Sequence, residues 1–231
     1  MKNIILITGN RKGIGRFLSE YYLEKGNIVI GCSRTASDLN HKNYDHYLCD
    51  VSDEKQVVST VKIIKKKFKK IDCLINNAGI ASLNHSLLTP ASSVKKIFDT
   101  NFLGSFLFSR ECAKIMMKKK YGRIINFSTV AVPMNLEGEM VYSSSKSAIE
   151  KMTKIMSKEL STYGITVNLI GPTPILTDLI KVVPNDKVEE ILEQQTLKRF
   201  GVFEDISNVI DFFISSKSSF ITGQKIYLGG L

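Results

Sequence analysis

The chain is poor in the residues that mark metal sites, disulfide frameworks and membrane spans. Its 231 residues include no tryptophan and only four cysteines, with neither a C-x-x-C spacing nor clustered histidines, so we expect no metal and no disulfides. The cysteines are interpreted as reduced core residues: Cys32, Cys49, Cys73 and Cys112. The amino-terminal apolar run before Gly9 is too short for a signal peptide or a membrane span. We therefore expect a cytoplasmic protein without a membrane segment.

Acidic residues are also under-represented. The 22 aspartates and glutamates are outnumbered by 32 lysines and arginines, which leaves a net charge of +10. Much of the excess lies in KIIKKKFKK and MMKKKYGR, and the apolar residues within the first run indicate an amphipathic helix with a solvated lysine face. No nucleic-acid-binding motif accompanies these runs, so a soluble basic surface is the simplest interpretation. Acidic or phosphorylated partners stay open.

Short β-rich runs alternate along the chain with longer segments of helical period. This alternation predicts an α/β fold, a doubly wound parallel sheet with helices on both faces, with residues 1–231 forming one domain. Helices are expected in IGRFLSEYYLEKG, SDEKQVVSTVKIIKKKF (capped by Ser52) and SAIEKMTKIMSKEL. A loop is expected between Arg34 and Tyr47. The strand candidates, nearly all apolar as befits strands buried on both faces, are NIILIT, IVIGCS, YLCD, CLINN, RIINFS, TVNLI and KIYLG.

A glycine-rich turn, TGNRKGIG, follows the first predicted strand and precedes a helix. Glycines allow a sharp turn and close approach to a ligand, and the helix N-terminus offers N–H groups to a pyrophosphate. Alone, the turn also suits an ordinary strand–helix connection, but with the second strand it completes the βαβ unit of a dinucleotide site. The loop residues expected to contact a dinucleotide are Gly9, Asn10, Arg11, Lys12, Gly13, Ile14 and Gly15.

The end of the second predicted strand lacks the acid that usually holds the ribose 2′-hydroxyl of NAD. Ser33 stands there and Arg34 follows. A 2′-phosphate needs cations, and Arg11 and Lys12 in the glycine loop could add positive charge. We therefore expect NADP(H) rather than NAD(H), although these residues could simply be surface cations of a basic protein.

The motifs occur in an order that resembles the short-chain dehydrogenase/reductase (SDR) family: TGNRKGIG, CDVSD, NNAG, DTNFLG, YSSSK, GPTPILTD and FITGQKIYLGG. The resemblance spans Ile4 to Gly230, and the RFG…ITGQ pattern looks most like 3-oxoacyl-[acyl-carrier-protein] reductases. It implies a Rossmann-type, seven-stranded sheet, a homodimer or homotetramer, and hydride transfer between a nicotinamide and a carbonyl or alcohol. Further cofactor contacts implied by the resemblance are Asp50, Val51, Asn77, Ala78, Gly79, Tyr142, Lys146, Pro172, Ile175 and Thr177.

Tyr142 and Lys146 stand one helical turn apart in the YSSSK motif. A ketone that receives hydride needs a proton on its oxygen, and Tyr142 is the candidate donor. A free tyrosine titrates near pH 10, so we expect the Lys146 ammonium to lower the pKa of this phenol. By resemblance, Asn101 would kink its helix and hold a water that links Lys146 to solvent. Its alternative role is that of a helix-capping residue.

Two adjacent hydroxyls precede this pair, and the family's catalytic serine falls thirteen residues before the tyrosine. That position is Thr129, so Thr129 is the expected substrate-orienting hydroxyl and Ser128 the reserve. Val132 and Thr173 stand where the family has glycine, which predicts a narrower pocket. The segment 179–197 is expected to form a mobile helical lid, although its apolar residues could equally pack on the core.

The leading functional hypothesis is an NADPH-dependent carbonyl reductase acting on a small-molecule or acyl-carrier-linked ketone, for example a 3-oxoacyl thioester. A basic surface would suit an acidic carrier protein. Two alternatives stay open. One is an SDR acting on a modified sugar or another small polar substrate, and the other is a weakly catalytic NADP-binding sensor.

Overall fold

The computed structural model of the chain describes residues 2–178 and 180–230. Seven strands form one parallel sheet in the order β3-β2-β1-β4-β5-β6-β7. The strands are β1 (Ile4–Thr8), β2 (Ile28–Ser33), β3 (Tyr44–Leu48), β4 (Cys73–Asn76), β5 (Gly122–Phe127), β6 (Ile165–Gly171) and β7 (Lys225–Tyr227). The doubly wound parallel sheet predicted from the sequence is confirmed.

Helices cover both faces of the sheet: α1 (Gly13–Glu24), α2 (Glu54–Phe68), α3 (Ala91–Phe98), α4 (Gly104–Met116), α5 (Ala131–Met134), α6 (Met140–Glu159), α7 (Asn185–Gln194) and α8 (Phe203–Ile214). One apolar cluster joins α2, α4 and α6 to the sheet, and a second joins α1 and α8 to the opposite face. The central strands β1, β4, β5 and β6 consist of buried residues, which explains their nearly continuous apolar sequences. The four cysteines are all buried, in agreement with the sequence interpretation.

Three element boundaries differ from the sequence prediction. The third strand lies earlier than YLCD, because its register with β2 runs from Val29 opposite Tyr44 to Ser33 opposite Leu48. The connection before it is a loop, as expected. The cap of α2 is Asp53, whose carboxylate accepts the Gln56 backbone N–H at 3.1 Å.

The predicted cap, Ser52, instead donates its hydroxyl to Asp50 at 2.7 Å. Helix α6 begins at Met140, several residues before the predicted apolar stripe. Its first turn therefore contains Tyr142, which places the Y-x-x-x-K pair inside a regular helix. In the part of the chain that the structure describes, no helix combines the length and apolarity needed to cross a bilayer.

The strand order reverses between β1 and β4, and the chain leaves these strands toward opposite sides. A crevice forms at such a switch point, at the carboxyl ends of parallel strands. The glycine loop follows β1, Asn77 and Gly79 follow β4, and Ser128 follows β5. The fold thus brings the motifs singled out in the sequence to one edge of the sheet.

Candidate active site

A cleft of about 700 Å³ lies at this edge of the sheet. Its walls include all the predicted cofactor and catalytic residues except Asn10, Gly15 and Asn101. The cleft also receives Val183 and Ile191 from the predicted lid segment, whose helical part is α7. Leu179, the first residue of that segment, lies outside the described residues.

Two glycines of the loop stand where the fold has no room for a side chain. Gly9 has φ +68°, and a Cβ there would lie 2.7 Å from the Ala78 Cα. A Cβ on Gly15 would lie 2.5 Å from the Gly9 carbonyl oxygen, so Gly15 serves the packing of the loop and does not face the cleft. Helix α1 begins at Gly13 without a side-chain cap from Lys12, which leaves its first N–H groups available to an anion.

Asn10 does not line the cleft, in contrast to the sequence expectation. Its side chain is fully buried, and its Nδ2 donates to the Tyr44 hydroxyl at 2.5 Å and to the Ser19 hydroxyl at 3.4 Å. It also lies against Gly31 of β2, where a Cβ would approach the amide within 2.0 Å. Asn10 therefore ties the glycine loop to β2 and β3.

The cations near Ser33, where the sequence predicts the adenosine ribose of the cofactor, differ in whether they are paired with an acid. Arg34 and Arg11 are exposed and line the cleft, whereas the Lys12 ammonium pairs with the Asp178 carboxylate at 2.9 Å. Ser33 donates its hydroxyl to the Thr35 carbonyl at 2.6 Å. Positive charge for a phosphate is therefore supplied chiefly by the arginines, and the expected contribution of Lys12 is offset by Asp178.

Tyr142 and Lys146 lie on the buried face of α6, 8% and 5% exposed. The Lys146 Nζ donates to the Phe127 carbonyl at 3.0 Å and lies 5.8 Å from the centre of the Tyr142 ring. Burial lowers the pKa of Lys146 to about 8. Burial also raises the pKa of Tyr142, and the nearby Glu139 carboxylate raises it further. The Thr129 hydroxyl beside the phenol lowers this pKa, but by less. From the sequence, Lys146 was expected to lower the pKa of Tyr142. In the structure this pKa is raised, because desolvation of the phenol is the largest contribution.

The two adjacent hydroxyls face different surroundings. Ser128 donates to the Glu150 Oε1 at 2.6 Å, and the same carboxylate binds Lys225 at 2.8 Å and the Tyr227 hydroxyl. Ser128 thus belongs to a buried cluster with β7. The Thr129 hydroxyl accepts the Ala131 backbone N–H at 3.3 Å and lines the cleft with the Tyr142 phenol.

Asn101 is fully buried in a π-helical turn, Asp99–Leu103, that joins α3 to α4. Its side chain exchanges two hydrogen bonds of 2.9 Å with the backbone of Ile80 and donates to the Ser145 hydroxyl at 3.0 Å. A Cβ on Gly79 would lie 3.4 Å from both the Asn101 Oδ1 and the Lys146 Nζ, so the two polar groups approach the same point. Such π-turns occur frequently at functional sites.

The two departures from the family's glycines have different consequences. Thr173 is 7% exposed and lines the cleft, and its methyl group occupies the space beside Gly201, where a Cβ would come within 2.7 Å. Val132 lies in α5, outside the cleft lining. The expected narrowing can therefore come from Thr173, and the sequence interpretation of Val132 is wrong.

Sequence reasoning missed Glu139. This residue is 8% exposed, lines the cleft and precedes Tyr142 by one helical turn. Its Oε2 is buried without a hydrogen-bond partner among residues 2–178 and 180–230. The available signal was a carboxylate three residues before the candidate proton donor, which in the sequence resembles an ordinary helix-start acid. No cluster of His, Cys, Asp or Glu suited to a metal ion occurs in the same described ranges.

Comparison with known proteins places these features in context. The family model described as short chain dehydrogenase matches residues 3–188. The 3-oxoacyl-[acyl-carrier-protein] reductase FabG of Escherichia coli (strain K12) is 31% identical over 233 residues, covering 98% of this chain and 96% of its own. Among solved structures, ElxO with NADP bound has 29% identity, a TM-score of 0.90 and coverage of 99% and 97% of the two chains. The aldohexose dehydrogenase of Thermoplasma acidophilum has 27% identity, a TM-score of 0.90 and coverage of 100% and 94%.

Proposed function

Because the chain belongs to the short-chain dehydrogenase family, we propose that it reduces a ketone with NADPH and that Tyr142 donates the proton. Family membership makes it an oxidoreductase of carbonyl and hydroxyl groups. The observation that carries the proposal is the convergence of Tyr142, Thr129 and Lys146 on one cleft with the glycine loop. The reverse reaction, oxidation of the alcohol, uses the same groups.

NADP(H) is the cofactor that the cleft residues fit. The backbone of Gly9 and Gly13 and the N-terminus of α1 would hold the pyrophosphate, and Arg34 would hold the 2′-phosphate. The absence of an acid at Ser33 favours the phosphorylated cofactor. The likeness to ElxO, solved with NADP bound, supports the same choice. When bound, the cofactor supplies or accepts the hydride.

The protein's own groups would manage the developing charge and the proton. Thr129 would donate a hydrogen bond to the ketone oxygen, and Tyr142 would transfer its proton to that oxygen as negative charge develops there. The raised pKa of Tyr142 keeps the phenol protonated at neutral pH, as a donor must be. Lys146, whose pKa is about 8, holds a proton at neutral pH and is suited to return one toward the phenolate. Asn101 would position the groups beside Gly79 for this exchange.

Two substrate classes are supported by different observations. A 3-oxoacyl thioester is supported by the likeness to FabG and by the basic surface, which suits an acidic carrier protein. A hydroxylated small substrate is supported by the likeness to aldohexose dehydrogenase and by the unpaired Glu139 carboxylate. We also propose that the chain acts as a homodimer or homotetramer, as the family resemblance implies.

Fluorescence titration with NADPH and NADH, followed by turnover assays with acetoacetyl thioesters and a panel of ketones, tests this function. We expect tighter binding of NADPH than of NADH, and NADPH oxidation that depends on a ketone. Tyr142→Phe serves as the matched control, since it keeps the ring but removes the proton: it should bind NADPH normally and lose turnover. Turnover that survives this substitution would contradict the mechanism. Tight NADPH binding without turnover on any carbonyl would favour a sensor.

A further inference from the structure

Glu139 is an acid for which the cleft supplies no counterpart. Its Oε2 is buried and unbonded among the described residues, and Lys187, a cation near the same wall, pairs with Glu190 at 3.0 Å. Burying a carboxylate without a partner is unfavourable, and nearly all buried polar groups in proteins are hydrogen-bonded. Glu139 therefore needs a partner from outside the chain's own fold.

The backbone holds Glu139 in a defined position. Its N–H donates to the Leu136 carbonyl at 3.3 Å, and its carbonyl accepts the Ser143 N–H at 2.8 Å. The preceding Gly138 has φ +82°, and its carbonyl accepts the Asn84 N–H at 2.8 Å. Although Glu139 precedes α6, its side chain does not cap that helix. The carboxylate is therefore not engaged by the helix that it precedes.

Glu139 also lies beside the proposed reaction centre. Residues three apart on one helix face have Cβ atoms separated by about 5–6 Å, which is the relation of Glu139 to Tyr142. The carboxylate also contributes to the raised pKa of Tyr142, in agreement with this spacing. Around Glu139 the cleft wall is apolar at Leu136, Val183 and Ile191, and these three residues also line a small cavity of about 10 Å³ beneath α7, together with the charged side chains Glu137, Lys187 and Glu190.

We propose that Glu139 determines substrate specificity by accepting a hydrogen bond from a hydroxyl group on a carbon near the reacting carbonyl. The substrate class is thus a neutral hydroxyketone or the corresponding polyol. This inference rests on the proposed reductase function, because it assumes that the carbonyl oxygen lies between Tyr142 and Thr129.

The chemistry of the wall favours a neutral hydroxyl over a charged group. An anion at this place would be repelled by Glu139. A cation would be attracted by Glu139, but Lys187 at the same wall would oppose it, and burial of an ion pair gains little net energy. A hydroxyl costs less to desolvate and supplies the missing donor. Sites built to bind a hydroxyl discriminate strongly against analogues that lack one, because their polar groups are then left unpaired.

Pairs of ketones of equal size test the proposal: hydroxyacetone against 2-butanone, and 4-hydroxy-2-butanone against 2-pentanone. We expect the protein to reduce the hydroxylated member with kcat/KM at least about tenfold higher. Glu139→Leu should remove most of this preference, chiefly by raising KM for the hydroxyketone. Glu139→Gln, which keeps a carbonyl acceptor, should retain part of it. Glu189→Leu, which removes an exposed acid of α7 that lines neither the cleft nor the small cavity, is the matched control and should leave the preference unchanged.

Melting temperature and the Kd for NADPH of each variant separate substrate recognition from structural support. A lower melting temperature for Glu139→Leu with an unchanged substrate preference would overturn the inference, as would equal reduction of both members of each pair by the unmodified protein. In either case, reduction of plain ketones or acetoacetyl thioesters would leave the proposed reductase function standing. If no ketone or thioester oxidises NADPH, both the function and the inference fail.

Discussion

Replacing Ser128 and Thr129 separately by alanine should affect two different properties. Ser128 donates to the buried Glu150 carboxylate at 2.6 Å, whereas Thr129 faces the Tyr142 phenol. Ser128→Ala should therefore reduce stability with little change in catalysis. Thr129→Ala should reduce catalysis with little change in stability.

The magnitudes follow from these contacts. A hydrogen bond to a charged group contributes about 1.5–3 kcal/mol. Because the Glu150 carboxylate keeps its contact with Lys225 at 2.8 Å after the substitution, Ser128→Ala should lower the free energy of unfolding by no more than that amount. For a chain of this length the corresponding decrease in Tm is about 3–12 °C. Loss of a donor to the developing oxyanion costs about 100- to 1000-fold in rate, which is the effect expected on kcat/KM for Thr129→Ala.

Thermal unfolding followed by circular dichroism and steady-state kinetics with saturating NADPH measure the two properties. Thr129→Ser is the matched control, since it keeps the hydroxyl and should retain most of the activity. The reasoning is refuted if Ser128→Ala lowers kcat/KM more than Thr129→Ala does at unchanged Tm. That result would mean that the serine orients the substrate and that its bond to Glu150 is broken during the reaction.

Three further predictions concern the cofactor and the proton. Arg34→Asp should raise the Kd for NADPH at least about tenfold while leaving that for NADH nearly unchanged, as measured by fluorescence titration, because a carboxylate repels the 2′-phosphate. Burial lowers the pKa of Lys146 to about 8, so the side chain is cationic below that pH and neutral above it. The value of kcat/KM for reduction should therefore fall as pH rises through about 8. A flat pH profile of kcat/KM up to pH 10 would contradict the role assigned to Lys146. Gly9→Ala should abolish NADPH binding and lower Tm, whereas Gly26→Ala, also at positive φ but with no atom within 4 Å of its Cβ, should lose only about 1 kcal/mol of stability.

The strands and the glycine loop could be predicted from the sequence because both depend on residues that are close together in the chain. The strands were recognised from apolar runs, and the glycine loop from the positions where a Cβ or a negative φ cannot be accommodated, as at Gly9. The family resemblance predicts the substrate-orienting hydroxyl thirteen residues before Tyr142, at Thr129, and this count needs only the sequence. These features depend on neighbours in the sequence.

Other expectations failed where the decisive partner is distant in the sequence. Asn10 was expected in the cleft, but its amide is held by Tyr44 from another strand. Lys146 was expected to lower the pKa of Tyr142, but burial of the phenol raises this pKa. A sequence motif identifies the side chains of a site, but it does not identify the distant groups that contact or bury them.

The sequence by itself determined the fold class and the cofactor edge of the sheet, and through the family resemblance it predicts Thr129 rather than Ser128 as the substrate-orienting hydroxyl. Only the tertiary structure decided that Ser128 donates to Glu150 within a cluster completed by β7, and that the Glu139 Oε2 is buried without a hydrogen-bond partner among the described residues. The physical reason is desolvation. Which groups lose water depends on what distant segments pack over them, and a linear pattern of residue types does not contain that information.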